Sequence, residues 1–218
     1  MAAGSDFLYP FLEGDERDVD ALLSDLAASA EAKAGESERL RVATLHQTQS
    51  ELANAADAMA ARFRSGGRLF TFGNGGSSTD AAGVAALFAR PPMGSALPAR
   101  SLVDDTAVLT AVGNDIGFDL VFVRQLIAHG RAGDIALGLS TSGNSRNLLA
   151  AFTEARQRGL LTVGLAGYDG GAMAEAGLDH CLIVRSDSVH RTQEAQAALG
   201  YALWSAVHAR LTERMSHG

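Results

Sequence analysis

Four hydroxyl residues and a glycine crowd into six positions of the segment GLSTSGNSRN, 138–147: Ser140, Thr141, Ser142, Gly143 and Ser145. Hydroxyls donate hydrogen bonds without carrying charge, and a glycine lets backbone N–H groups come close to a ligand. The segment lies between an apolar run of strand length and an amphipathic run with Leu148, Leu149, Phe152 and Ala155 on one side. That places the hydroxyls at a helix N-terminus, where the dipole favours an anion. A second cluster, GNGGSSTD at 73–80, follows an earlier apolar run, and a third, GYDGG at 167–171, follows a later one. Glycines after strands also serve as turns, and a serine before a helix also serves as a cap. Two clusters of the same make-up on neighbouring loops shift the balance to an anion site. The anion is not a nucleotide by its fingerprints: Ser78 stands where G-x-G-x-x-G needs its last glycine, and no G-x-x-x-x-G-K-[ST] occurs. A hydroxyl-lined pocket without a lysine suits the phosphate monoester of a small molecule, and a phosphosugar is the natural candidate.

The elements that position these loops follow from five apolar runs, at 68–72, 98–103, 134–139, 161–166 and 181–185. None alternates strictly with polar residues, so they read as strands covered on both faces. With helical segments between them they form the pattern of a doubly wound parallel sheet. Ahead of the first strand, Leu45, Leu52, Met59 and Phe63 fall at helical spacing in one long amphipathic helix that Gly66 and Gly67 stop. An acidic helical stretch with Val19, Leu22, Leu23 and Leu26 on one side precedes it, and Glu13, Asp15, Glu16, Asp18 and Asp20 make it a candidate protein-contact surface. No Pro- or Ser-rich linker separates these parts. The organisation expected is a helical arm over 1–40 and one α/β domain over 41–218. A last helix over about 192–215 is apolar around much of its girth at Ala195, Leu199, Ala202, Leu203 and Val207. Such a helix packs on more than one partner, either within the subunit or in a homo-oligomer, dimer or tetramer.

Composition narrows the function classes. A chain of 218 residues with 47% hydrophobic residues can bury a full core. The net charge of -7 argues against general nucleic-acid or anionic-membrane binding. The single cysteine, Cys181, lies in an apolar run and reads as an inert thiol in a reducing compartment. With no basic flank followed by an apolar stretch at the start, and no run of apolar residues long enough to span a bilayer, the expected location is the cytoplasm, with no membrane partner.

Taken together, FGNGGSSTDA, AVGNDIGFD, GDIALGLSTSGNSRN, GYDGGAMA and RTQEAQ resemble, in order and spacing, the sugar-isomerase (SIS) domain family, and within it the phosphoheptose isomerase branch. The resemblance implies a three-layer αβα sandwich around a five-stranded parallel sheet, flavodoxin-like, with the N-terminal helices added. It implies an activity that interconverts sedoheptulose 7-phosphate and a heptose 7-phosphate. It also implies that Ser140, Thr141, Ser142 and Ser145 hold phosphate, that Asn74 and Ser77 complete the pocket, that Asn114 and Asp115 approach the sugar, and that Gln193 opens the last helix beside it. In the isomerases a glutamate and a histidine resemble the base and acid of an enediol mechanism and, with a second histidine and a glutamine, hold zinc. At those positions this chain has Leu87, Tyr201, Gly83 and Gln193. Leucine accepts no proton and a lone glutamine is not a transition-metal site, so no metal or other cofactor is expected.

Three readings stem from this. One is a phosphosugar-binding sensor or adaptor without the usual zinc-assisted isomerase chemistry, its ligand state read by a protein partner. Another is an isomerase in which His190, whose ordinary pKa suits a general base, or Glu194 replaces the missing pair. Asp80, Asp115 and Asp169 are further carboxylates near the loops, at positions where capping is the commoner role. A sugar-responsive transcription factor is the third, but no helix-turn-helix module or basic helix supports it, and no direct nucleic-acid binding is expected.

Overall fold

The computed structural model describes residues 19–213. Glu13, Asp15, Glu16 and Asp18 of the acidic segment lie outside them. Contacts divide the chain into Met1–Arg39 and Leu40–Gly218, and the sheet with its covering helices belongs to the second unit. In chain order the elements are α1 (Val19–Gln47), α2 (Gln49–Arg64), β1 (Leu69–Gly73), α3 (Gly76–Ala89), β2 (Ala99–Ser101), α4 (Thr106–Asp115) and a 3₁₀ turn (Phe118–Leu120). There follow α5 (Val121–His129), β3 (Ile135–Ser140), α6 (Arg146–Gln157), β4 (Leu161–Gly167), α7 (Gly171–Glu175), β5 (His180–Val184) and α8 (Val189–Glu213).

The helix boundary before the sheet differs from the sequence expectation. The helix runs unbroken through Gly35, and the interruption comes at Thr48. Backbone bonds continue across it, from Thr48 N to Thr44 O at 2.9 Å and from Leu52 N to Thr48 O at 2.8 Å. The Thr48 hydroxyl also donates to Thr44 O at 2.8 Å. A hydroxyl bonded back to the i−4 carbonyl bends a helix, which accounts for a kink where the apolar pattern shows no break.

All five strands are parallel in the order β2-β1-β3-β4-β5. Every residue of β1, β3 and β4 is buried, which is why their sequences read as continuous apolar runs. One face of the sheet packs Leu69, Leu137 and Leu165 against α2, α3 and α8, and the other packs Phe70, Phe72 and Ala136 against α5 and α6. The architecture is thus the expected three-layer αβα sandwich. At Gly138 of β3 a Cβ would lie 2.6 Å from the Phe152 ring and 2.8 Å from the Phe72 ring. Only glycine leaves room for that aromatic pair, whose centroids are 5.2 Å apart. At the lower edge, the buried Asp134 carboxylate accepts from Arg68 N at 2.9 Å, Arg68 Nη2 at 2.8 Å and Arg131 N at 3.0 Å. A buried charge so fully bonded pins β1 beside β3, in the register Leu69 to Ile135.

α8 packs between α2 and α3, burying Ala195, Leu199, Leu203 and Val207 inside one subunit. Among the described residues no helix is long and apolar enough to cross a membrane. Cys181 is half-buried, and burial, with the Glu51 carboxylate adding to it, pushes its thiol up to about 11. The thiol is protonated at neutral pH, in keeping with an inert side chain.

Candidate functional site

In a 2-1-3-4-5 sheet the connections leaving β1 and β3 run to opposite faces, and the crevice between their C-terminal ends is the place where open α/β sheets bind ligands. Here β1 ends at Gly73 opposite Leu139 of β3, so the loops 73–77 and 140–145 leave the sheet side by side. Two of the three glycine-rich clusters meet there because of strand order.

Ser140, the last residue of β3, is 3% exposed. Its Oγ lies 3.2 Å from Ser145 Oγ and 3.5 Å from Ser142 Oγ, and accepts the Gly143 N–H at 3.1 Å. Ser142 Oγ accepts the Asn144 N–H at 3.2 Å. Three hydroxyls therefore converge at the start of α6. Ser145 is the N-cap residue of α6 by position, yet its side chain makes no capping bond. The hydroxyl that a plain cap would spend on the helix meets Ser140 Oγ instead.

The loop is held from behind. Gly143 has φ +66° and a Cβ there would come 2.0 Å from Gly170 O, so only glycine fits both the left-handed backbone and the close approach. Asn144 Oδ1 accepts the Ala172 N–H at 2.8 Å, and Met173 N donates to Gly143 O at 2.9 Å. The third cluster, 167–171, thus serves as a buttress for the second. Asp169 accepts the Gly171 N–H at 3.2 Å in an Asx turn, while Gly170 holds the cap position of α7.

On the other side of the crevice, Asn74 exchanges two amide hydrogen bonds with Asn147 of α6, at 2.8 and 2.9 Å. Ser77 is buried in the first turn of α3. A cavity of about 460 Å³ opens beside Asn74, lined by the hydroxyl residues Ser78 and Thr106 and by the apolar Val103, Leu109, Phe118 and Phe122. Asn114 and Asp115 sit at the far, C-terminal end of α4, exposed and bonded to each other at 2.8 Å. The cavity takes Thr106 and Leu109 from the opposite end of that helix.

α8 reaches both loops through two glutamines. The Gln193 side chain covers Gly76, where a Cβ would be 1.9 Å from Nε2, and it hydrogen-bonds Asp80. Gln196, fully buried, donates from Nε2 to Ser140 O at 3.2 Å and Leu165 O at 3.0 Å, propping the strand end that carries the serines. His190 and Glu194, on the same first turns of α8, are exposed. Asp80 is the fifth residue of α3, and Gly75 holds the cap position, so Asp80 is no cap. Its Oδ2 is buried without a hydrogen-bond partner, and burial raises the carboxyl above the ordinary aspartate value, the Gln193 bond opposing. Asn147 and Gln196 carry no signal of their own in the sequence, and Asp80 departs from the capping role that is commoner at such positions.

Beyond Asp80, α3 and α8 cross where a Cβ on Gly200 would lie 2.7 Å from Val84. Gly83, exposed, and Tyr201, 50% exposed with its ring tilted 47° to that of Trp204 at a centroid distance of 5.1 Å, flank that crossing, while Leu87 packs on the core. Glycine and leucine bring no donor atom, and a phenol with one amide does not make the donor set of a zinc site. Among the described residues no three His, Cys, Asp or Glu side chains come together. The residues present do not fit the zinc that the resemblance implies.

Comparison with known proteins agrees with this geometry. Residues 35–167 match the SIS domain family. The chain is 45% identical over 158 residues to the phosphoheptose isomerase of Rhodospirillum rubrum, covering 70% of this chain and 81% of that protein. Its fold is similar to that of the phosphoheptose isomerase from Neisseria gonorrhoeae, with a TM-score of 0.79 and 36% identity over 84% of this chain and 99% of the other. The enzyme from Francisella tularensis gives a TM-score of 0.78 at 31% identity, over 84% and 98% of the two chains. A parallel 2-1-3-4-5 sheet, serine and glycine loops at its switch point, and these relatives together make the chain a member of the SIS domain family.

Proposed function

We propose that this protein binds a phosphorylated sugar, with the phosphate on Ser140, Thr141, Ser142 and Ser145 and the sugar in the cavity beside Asn74. The observation that carries the reading is the hydroxyl triangle with Ser140 at its apex, Ser142 and Ser145 each meeting Ser140 Oγ, in which Ser145 makes no capping bond. Three neutral donors at the N-terminus of a twelve-residue helix suit a phosphate dianion without a lysine. The names of its relatives make sedoheptulose 7-phosphate the first ligand to try. Gly83, Leu87 and Tyr201 support a role without zinc-assisted isomerisation, as a cytoplasmic sensor or adaptor that works as a homo-oligomer and passes its ligand state to a protein partner.

Thermal-shift titration with sedoheptulose 7-phosphate and other sugar phosphates tests the binding, and NMR of the best ligand in deuterated water tests the chemistry. Binding with no deuterium entering the carbon beside the carbonyl is the expected result. Sedimentation velocity and pull-downs with and without ligand test the assembly and the partner.

A second reading, an isomerase with substitute residues, draws on Asp80. Burial raises this carboxyl above the ordinary aspartate value, and it is bonded to Gln193 beside the glycine loop, which makes it a candidate to hold or move a proton. His190 and Glu194, exposed on the first turns of α8, are the other two candidates. Deuterium exchange that is lost in Asp80→Asn or in His190→Ala would identify the group.

A further inference from the structure

Asn74 and Asn147 are 73 positions apart, one in the loop after β1 and the other in the first turn of α6, on either side of the crevice. We propose that Asn147 is a positioning residue: its amide locks Asn74 in one orientation, in register with the serine triangle, so that the ligand meets a single fixed donor and a single fixed acceptor. The inference rests on the phosphosugar reading of the site.

The orientation of the pair follows from bonding alone. Asn147 Oδ1 accepts the Leu148 backbone N–H at 3.1 Å as well as Asn74 Nδ2 at 2.8 Å. A backbone N–H only donates, so the Asn147 atom it meets is the oxygen, and the rest of the amide is oriented with it. Asn147 Nδ2 then faces Asn74 Oδ1, at 2.9 Å, and Asn74 Nδ2 faces Asn147 Oδ1. An amide has two N–H groups and two lone pairs. Asn147 spends both lone pairs of its oxygen within the protein and is 2% exposed, so it is built to hold rather than to bind. Asn74 spends one of each on Asn147, and it lines the cavity with one N–H and one lone pair left over.

Position in the chain makes the lock consequential. Asn147 lies two residues after Ser145, on the same first turn of α6. The helix end that carries one corner of the hydroxyl triangle therefore also grips the loop after β1. An Asn74 free to turn would have to be ordered by each ligand that binds, and the pair removes that cost beforehand.

The test compares wild type, Asn147→Ala, Asn74→Ala and the double variant by calorimetric titration with sedoheptulose 7-phosphate and, separately, with inorganic phosphate. Asn147→Ala should weaken the sugar phosphate about tenfold and inorganic phosphate by less than about twofold. The double variant should bind no worse than Asn74→Ala, because the two residues act as one unit. Equal weakening of both ligands would mean a merely structural role and overturn the proposal, as would wild-type affinity in Asn147→Ala or losses that add in the double variant. The lock also has a readout that needs no ligand: by NMR, the Asn74 side-chain NH₂ should exchange slowly in wild type and fast in Asn147→Ala. If wild type binds no sugar phosphate, the reading of the site falls, and this exchange still decides the lock, fast exchange in wild type overturning it.

Discussion

Ser145→Ala separates a binding serine from a capping one. At an ordinary N-cap, removing the serine hydroxyl costs about 0.5–2 kcal/mol of stability. Ser145 makes no capping bond, and its side chain is half-buried, so water can replace its contact with Ser140 Oγ. The expected loss is below about 0.5 kcal/mol. Asp105 is the internal control, because its Oδ1 caps α4 by accepting the Val108 N–H at 3.0 Å. Asp105→Ala should therefore lose about 1 kcal/mol, a fall in Tm of roughly 2–4 °C for a domain of this size. Affinity should show the reverse order. A hydrogen bond to a charged group contributes about 1.5–3 kcal/mol, so Ser145→Ala should bind sedoheptulose 7-phosphate about ten- to a hundredfold more weakly, and Asp105→Ala as wild type does. Urea denaturation gives the first quantity and calorimetric titration the second. If Ser145→Ala is destabilised as much as Asp105→Ala and keeps its affinity, Ser145 is a cap and the anion-site argument fails.

Three further variants test neighbouring claims. Burial raises the Asp80 pKa above 3.8 in the folded state, so the protonated carboxyl is favoured there, and its ionisation costs stability as pH climbs from 3.8 through the folded value. Asp80→Asn mimics the protonated form and should be more stable than wild type toward urea at pH 7, with the advantage gone below pH 3.8; an equal advantage at both pH values would refute the sign. Gly143→Ala, forced into a left-handed backbone against Gly170 O, should lose at least about 1–2 kcal/mol and most of its phosphate affinity, and unchanged stability would refute the close approach. The triple variant Gly83→His, Leu87→Glu, Tyr201→His should gain a Tm increase on adding zinc that wild type lacks, and a zinc-dependent shift in wild type would show that another donor set is at work.

How much of this could be read from the sequence depends on the range of each interaction. β1, β3 and β4 were legible because strands buried on both faces have no polar positions to disguise them. The loops at 73–77 and 140–145 were legible because left-handed turns and hydroxyl clusters need particular residue types. The kink at Thr48 was not, since both helices around it keep apolar residues on the core side and the hydrogen-bond ladder continues. β2 is shorter than its apolar run, ending at Ser101 before Leu102 and Val103. The Asn74–Asn147 pair leaves no local trace, because its two members are far apart in sequence and each looks like an ordinary turn or cap asparagine. Asp80 likewise gained its meaning only from Gln193, more than a hundred residues later, and from the burial of one oxygen.

On the proposed reading, binding and isomerase chemistry part company on this fold, and the placement of the groups gives a structural basis for it. The serine loop is bonded internally, by the 172–173 segment at Gly143 and Asn144 and, at the Ser140 carbonyl, by Gln196. The Asn74 amide is held by Asn147, which also belongs to the β3–α6 side. None of the bonds described for these groups runs to residues 83, 87 or 201, which lie two or more turns along α3 and α8 from the loops. Exchanging those three residues therefore leaves the hydrogen bonds of the serine loop and of Asn74 standing. Gln193 alone touches both sets, lying on Gly76 of the glycine loop and bonding Asp80 on the way to the helix crossing. Its retention beside Gly83, Leu87 and Tyr201 has a structural reason even without a metal to bind, because the amide partners a buried carboxyl that would otherwise bear the full cost of desolvation.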